Sequence, residues 1–260
     1  MTVPIIDCHT HLTDAVFDAD RGAVLARAAE AGVARIALVG QDPAENEAVL
    51  RLARGEPRFL AFLGLHPDRF SDRAPPDEGL CAEVIAQIRA HRAELCGVGE
   101  VGLDRWVTRD ETRREAQARA FAALIGLARE LDLPLNVHSR SAGRHAIGLL
   151  IENGATRVLM HAFDGKAGHA LRGAEAGFLF SIPPSIVRSP QKQKLVKALP
   201  LASLALETDS PVLGPDPQAR NEPANVALSI RAIAEIKGAG EDEVRRRTSE
   251  NAARLFKLDG

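Results

Sequence analysis

The sequence predicts an α/β fold, a (β/α)8 TIM barrel in a single domain over residues 1–260 with one further helix at its C-terminal end. Three observations predict it. Eight short runs rich in Val, Ile, Leu and Phe alternate with stretches of good helix formers. The runs lack apolar/polar alternation, as expected of parallel strands covered on both faces. The polar residues with chemical potential gather where those runs end, and a barrel builds its site at the C-terminal ends of its strands.

The elements follow in order. Val3–Asp7 leads to a helical stretch Asp18–Ala31, Arg35–Val39 to Pro43–Arg54, Phe59–Leu65 to Glu83–Ala93, and Leu95–Val101 to Arg113–Leu131. In the second half Leu133–Val137 leads to Ala142–Glu152, Arg157–Met160 to Gly168–Ala176, Gly177–Ser181 to Ser189–Ala198, and Leu204–Leu206 to Asn225–Lys237. Glu241–Leu258 reads as an outer helix. A doubly wound open sheet is the main alternative, but no GxGxxG follows the first run.

Composition narrows the function classes. With 33 Lys+Arg against 35 Asp+Glu the net charge is −2, so the broad basic footprint of a protein that coats nucleic acid is absent. Cys8, Cys81 and Cys96 are odd in number and form no CxxC, which argues against a disulfide framework and for a reducing, cytoplasmic setting. The opening MTVPIIDCHTH has no signal-peptide pattern, and no apolar run reaches the ~18 residues of a membrane span. No membrane and no obligate protein partner are expected.

His9 and His11 stand two apart, so on a strand both imidazoles point the same way and can hold one metal. Asp7 shares that phase and is expected to orient a histidine. Glu100 in GVGEVGLD, His138 in LNVHSR, His161 in LMHAF and Asp209 in LETDSP end further runs. Four imidazoles and two carboxylates are too many for one tetrahedral ion and suit two divalent ions sharing a carboxylate. Glu100 is the expected bridge, because its strand lies between the other ligand strands around the ring.

With these motifs the sequence resembles the TatD family of metal-dependent hydrolases, a branch of the amidohydrolase-like barrels. DCHTH, GLHP, GEVGLD, HSR, HAF, SIPPS, ETDSP, NEP and TSENAARLF carry the resemblance, which spans nearly the whole chain. It implies His9, His11, Glu100 and Asp209 around one metal, and Glu100, His138 and His161 around the other. It further implies a phosphodiesterase, of the kind labelled deoxyribonuclease, that acts from DNA ends with divalent metal; His-rich ligation favours Zn or Mn, and the family association includes Mg. The sequence departs from the family in a short linker, Val212–Ala219 followed by Arg220, where relatives often carry a longer basic stretch.

Roles follow. Two ions sharing a water lower its pKa and supply hydroxide, with no covalent nucleophile required. Asp209 orients that water or takes its proton. Glu207 is a candidate partner for a ligand histidine. His66 in GLHP binds phosphate or protonates the leaving group, Arg140 and Arg220 hold phosphate, and Trp106 stacks on a base. Arg188, Lys192, Lys194 and Lys197 form a run without acids that could guide a phosphate backbone. His91, His145 and His169 fall in helical stretches and read as surface or core residues, and Asp18 and Asp20 as helix-end charges.

The expected partner is DNA or another phosphodiester. An amide, lactone or small-ester hydrolase and a non-catalytic binding protein are the alternatives. The complete ligand set argues against the latter. A glutamate at the fourth strand, where many amidase-type relatives carry a modified lysine, argues against the former.

Overall fold

The computed structural model describes residues 3–74 and 79–258, so the first two and last two residues of the expected domain lie outside it. Eight parallel strands are present: β1 (Ile5–Thr10), β2 (Val33–Val39), β3 (Phe59–Leu63), β4 (Leu95–Gly102), β5 (Leu135–His138), β6 (Val158–Met160), β7 (Leu179–Ile182) and β8 (Leu204–Leu206). They pair in chain order from β1 to β8. A bridge between Thr10 and Ser210 then joins β1 to the segment after β8, bringing the two edges of the sheet together.

Nine α-helices are described: α1 (Arg21–Glu30), α2 (Pro43–Gly55), α3 (Leu80–Ala90), α4 (Glu111–Glu130), α5 (Gly143–Glu152), α6 (Ala167–Glu175), α7 (Pro190–Ala198), α8 (Val226–Lys237) and α9 (Glu241–Phe256). Local chemistry fixes several starts. Asp42 accepts from Glu45 N at 2.8 Å ahead of Pro43, and Asp110 accepts from Arg113 N at 2.9 Å, each satisfying a donor that the first helical turn leaves free. Where expected and observed ends differ, punctuation explains the shift. β3 stops before Gly64, and β5 starts after Pro134, which has no N–H to give a ladder. The chain between Asp14 and Asp18 forms a short 3-10 turn, so α1 begins at Arg21 rather than Asp18.

Two apolar layers result. The larger lies between the sheet and the helices, as with Leu38 and Leu50 or Val101 and Leu124. The smaller fills the barrel: Ile6, Cys8, Ala37, Val39, Phe62, Leu159, Leu179 and Ala205 meet Ala252, Leu255 and Phe256 of α9. Phe62 and Phe256 pack edge to face with centroids 5.2 Å apart. Asn251 donates to the carbonyls of Leu201 and Leu204 at 3.0 and 2.9 Å, and Arg157 to Leu255 O at 2.7 Å. The last helix is therefore bolted across the N-terminal end of the strands, leaving the C-terminal end open. Among the described residues no helix is long and apolar enough to cross a membrane.

Candidate metal centre

Two irregularities in the strands aim the polar residues. Between Asp7 and Thr10 strand β1 advances three residues while β2 advances two, from Ile36 to Leu38. Between Val98 and Val101 strand β4 does the same against Leu135 to Val137. Each is a β-bulge, which bends a strand and re-aims a side chain. The second carries Glu100, whose N–H donates to Gly40 O at 2.8 Å. Gly64 lies against this backbone so closely that a Cβ there would stand 2.3 Å from Glu100 O, so only glycine allows the approach.

Glu100 is buried, and its two oxygens face different histidines. Oε2 lies 3.5 Å from Nε2 of both His9 and His11. Oε1 lies 2.8 Å from His138 Nδ1, 3.2 Å from His161 Nε2 and 3.4 Å from His66 Nε2. Asp209 Oδ1 stands 3.6 and 3.5 Å from the Nε2 atoms of His9 and His11. Burial pushes the Glu100 carboxyl up, but the imidazoles of His66, His9 and His161 and the bond to His138 overcome it and hold the group well below its usual range. Asp209 behaves alike: burial raises it, and His11, His161 and His9 bring it below its ordinary value.

The donor set suits divalent metal on grounds internal to the site. Nε2 of His9 and Nε2 of His11 lie only 3.2 Å apart and converge on one point. Glu100 Oε2, which faces His9 and His11, is buried without a hydrogen-bond partner, as are Nδ1 of His11 and of His161 in the same cluster. Ligand atoms of His9, His11 and Glu100 lie within 4.8 Å of one another, as do those of His9, His161 and Asp209 and those of His66, Glu100 and His138.

Neighbours fix the rings. Asn136 Oδ1 lies 2.8 Å from His9 Nδ1. Asp104 Oδ2 lies 3.0 Å from His138 Nε2. Glu207, buried, accepts from Ser181 Oγ at 2.6 Å and Ala162 N at 2.8 Å, and its Oε2 is 3.4 Å from His161 Nδ1, as its sequence position suggests. Carboxylates and amides of this kind orient metal-binding imidazoles. Asn136 and Asp104 escaped the sequence reading, although Asn136 stands two before His138 and shares its strand phase.

Asp7 does not orient a histidine. The β1 bulge breaks the alternation between Asp7 and His9, and the Asp7 carboxylate accepts instead from Thr208 N and Thr208 Oγ1 at 2.9 and 2.6 Å. Its burial pushes the carboxyl up to about 8. Asp209 follows β8 rather than ending it. It takes a left-handed φ of 55°, which costs a non-glycine residue on the order of 1 kcal/mol or more. Its N–H donates to His9 O at 2.9 Å, and Ser210 O accepts from His11 N at 2.8 Å, so the loop is tied directly to β1.

A cavity of about 780 Å³ opens over these groups, lined by His11, Glu45, His66, Glu100, His138, Arg140, His161, Lys192 and Asp209 among others. Glu45 was not foreseen; it accepts from Thr13 Oγ1 at 2.8 Å at the wall. The basic run divides: Lys192 is buried and donates to Ala162 O at 3.0 Å, while Arg188, Lys194 and Lys197 stay exposed. Trp106 stands outside the cavity, exposed, with Arg140 above its ring at 5.1 Å. Arg220 is not among the lining residues. Its guanidinium grips both oxygens of Asp20 at 2.8 and 2.6 Å and the carbonyl of Val16 at 2.7 Å, so it clamps the loop after β8 to the start of α1 instead of facing a phosphate.

Comparison with known proteins shows the family. The chain is 44% identical over 264 residues to the human deoxyribonuclease TATDN3, covering 98% of this chain and 95% of that one. It is 31% identical over 268 residues to the 3'-5' ssDNA/RNA exonuclease TatD of Erwinia tasmaniensis, covering 98% and 100%. The crystal structure of YJJV, a TatD homologue from Escherichia coli, matches it with a TM-score of 0.89 at 28% identity over 100% of both chains. The family model described as TatD related DNase matches residues 6–257, and the chain belongs to that family.

Proposed function

We propose that this metal-dependent hydrolase is a phosphodiesterase that works from DNA ends with two divalent ions at the Glu100 centre. The observation that carries the reading is the division of Glu100, with Oε2 toward His9 and His11 and Oε1 toward His138 and His161. His9, His11, Asp209 and Glu100 would hold one ion, and Glu100, His138 and His161 the other. His66 is also within reach of Glu100 Oε1. Imidazole and carboxylate donors suit Zn or Mn, and Mg is the third candidate. Divalent ions in such a pair supply Lewis-acid activation of water and of the phosphoryl oxygen.

The side chains do the rest. Asp209, held charged beside three imidazoles, accepts a proton from the attacking water. His66, on the cavity wall, offers an N–H to the departing oxygen. Arg140 at the lip binds a phosphate oxygen, and Trp106 beneath it gives a base a flat surface. The names of the human and Erwinia relatives support a nuclease, and the second supports attack on single strands. Free cysteines at Cys8, Cys81 and Cys96 support a cytoplasmic setting, and one domain over the whole chain carries the centre.

The test is metal content measured together with hydrolysis of single-stranded DNA labelled at either end. Close to two ions per chain and metal-dependent release of terminal nucleotides are expected. Metal-loaded protein that leaves DNA and simple phosphodiesters intact but cleaves amides or lactones would replace this reading.

A further inference from the structure

Beside the cavity the loops after β4 and β5 are lashed together. Arg105 N donates to Arg140 O at 3.0 Å. Asp104 serves both loops: Oδ2 meets His138 Nε2 at 3.0 Å, and Oδ1 accepts from Trp106 N and Val107 N at 2.8 and 3.1 Å. The turn that displays Trp106 is therefore anchored to a histidine of the centre. Trp106, at 57% exposed, is the most open of the large apolar side chains among the described residues. The turn thus holds an indole largely in water, with one exposed guanidinium over its face.

The next residues outward carry unbalanced charge. Arg105 is half-buried and donates to His145 Nε2 at 2.9 Å, an interaction with a neutral ring that leaves the guanidinium charge unmatched. Arg144 stands exposed beside it in the first turn of α5, a turn with no acidic residue, where the helix dipole already favours an anion. Neither of these two arginines, nor Arg140, forms an ion pair among the described residues, whereas Arg27, Arg54, Arg58 and Arg89 are each held by a carboxylate. The facing acids are engaged: Glu111 pairs with Arg114 at 3.3 Å, and Asp164 accepts from Ser141 N at 2.9 Å. Burial and the charges of Arg105 and Arg144 push the His145 imidazole down, so it adds no cation but stays an acceptor for Arg105.

We infer that this rim is a track for a single-stranded DNA chain: Trp106 and Arg140 take the nucleotide next to the reacting phosphate, and Arg105 and Arg144 take the phosphate beyond it. The inference rests on the phosphodiesterase reading and adds what that reading leaves open, the side chains beyond the metal centre that hold the next phosphate of the strand. Arginine–phosphate pairs of this sort supply affinity without sequence preference, and aromatic stacking does likewise.

The experiment measures two things in the full chain loaded with Mn: anisotropy of a fluorescein-labelled oligothymidylate of about ten nucleotides, and kcat/KM for that strand and for bis(p-nitrophenyl) phosphate. The variants are Arg144→Glu and Arg105→Gln. Each should weaken strand binding by about 10-fold at low salt and flatten the salt dependence by about 0.7 in log–log slope for each phosphate that is no longer neutralised. The ratio of strand to small-diester kcat/KM should fall by a similar factor, through KM. Equal binding and an equal ratio in wild type and Arg144→Glu would overturn the track; Arg144 is exposed, so that variant decides even where Arg105→Gln disturbs the loop. Strand binding that depends on Arg144 in a protein that hydrolyses neither substrate would support the track and overturn the phosphodiesterase reading.

Discussion

Asn136 Oδ1 lies 2.8 Å from His9 Nδ1, while Nδ2 of the same amide donates to Cys8 O at 2.8 Å. The carbonyl of Cys8 can only accept, so the amide is turned with its oxygen toward His9. His9 Nδ1 must then carry the proton, and Nε2 presents its lone pair toward Glu100 and Asp209. One backbone carbonyl thereby selects a tautomer of the histidine two bonds further along the network.

Asn136→Ala should lower metal affinity by roughly 10- to 100-fold without removing a ligand. Competition with a chromogenic chelator measures it. Affinity equal to that of the wild type would mean that ring orientation at His9 is set elsewhere.

Glu100→Gln should weaken both ions together, because each carboxylate oxygen serves a different histidine group. His138→Ala should empty one site preferentially. Elemental analysis under saturating Mn tests the pair of variants: occupancy that stays near two in Glu100→Gln would end the shared-carboxylate model.

Asp209→Asn keeps the side-chain shape and removes its charge. A loss of turnover of at least ~10²-fold is expected from removing a group that accepts a proton in the transition state. Retained metal with lost turnover marks Asp209 as chiefly a base; lost metal, with rate partly restored by excess, marks it as chiefly a ligand. Near-normal turnover refutes both.

Arg220 and Asp20 give a pH prediction. The Arg220 guanidinium holds the Asp20 carboxyl below its ordinary 3.8. A depressed carboxyl contributes stability at pH values above 3.8 that is lost as the pH falls through the folded-state value. The melting temperature of Arg220→Ala should therefore lie below that of wild type at pH 7, and the gap should close on acidification. A gap that widens in acid would show that the clamp is not electrostatic.

The strands and the polar cluster at their ends were legible because both follow from one constraint. A parallel strand buried on both faces must be continuously apolar until it emerges, and a histidine or carboxylate at the emergence stands out. What was hidden is what depends on local register or on distant partners. The bulge in β1 leaves no mark in the run IIDCHT, so Asp7 and His9 read as one face. Arg220 beside NEP reads as a phosphate ligand until Asp20, two hundred residues earlier in the chain, is seen to hold it. Asn136 was within reach of the same alternation argument that linked His9 to His11; an amide simply attracts less notice than an imidazole.

The helix α9 laid across the barrel floor makes the catalytic chamber a cul-de-sac. Whatever enters past Arg140 must leave by the same door, since Phe62 and Phe256 wall off the far side. For a chain-like substrate the freed fragment has to back out past the strand that delivered it. On the phosphodiesterase reading, the cleaved fragment and the remaining strand share that one opening.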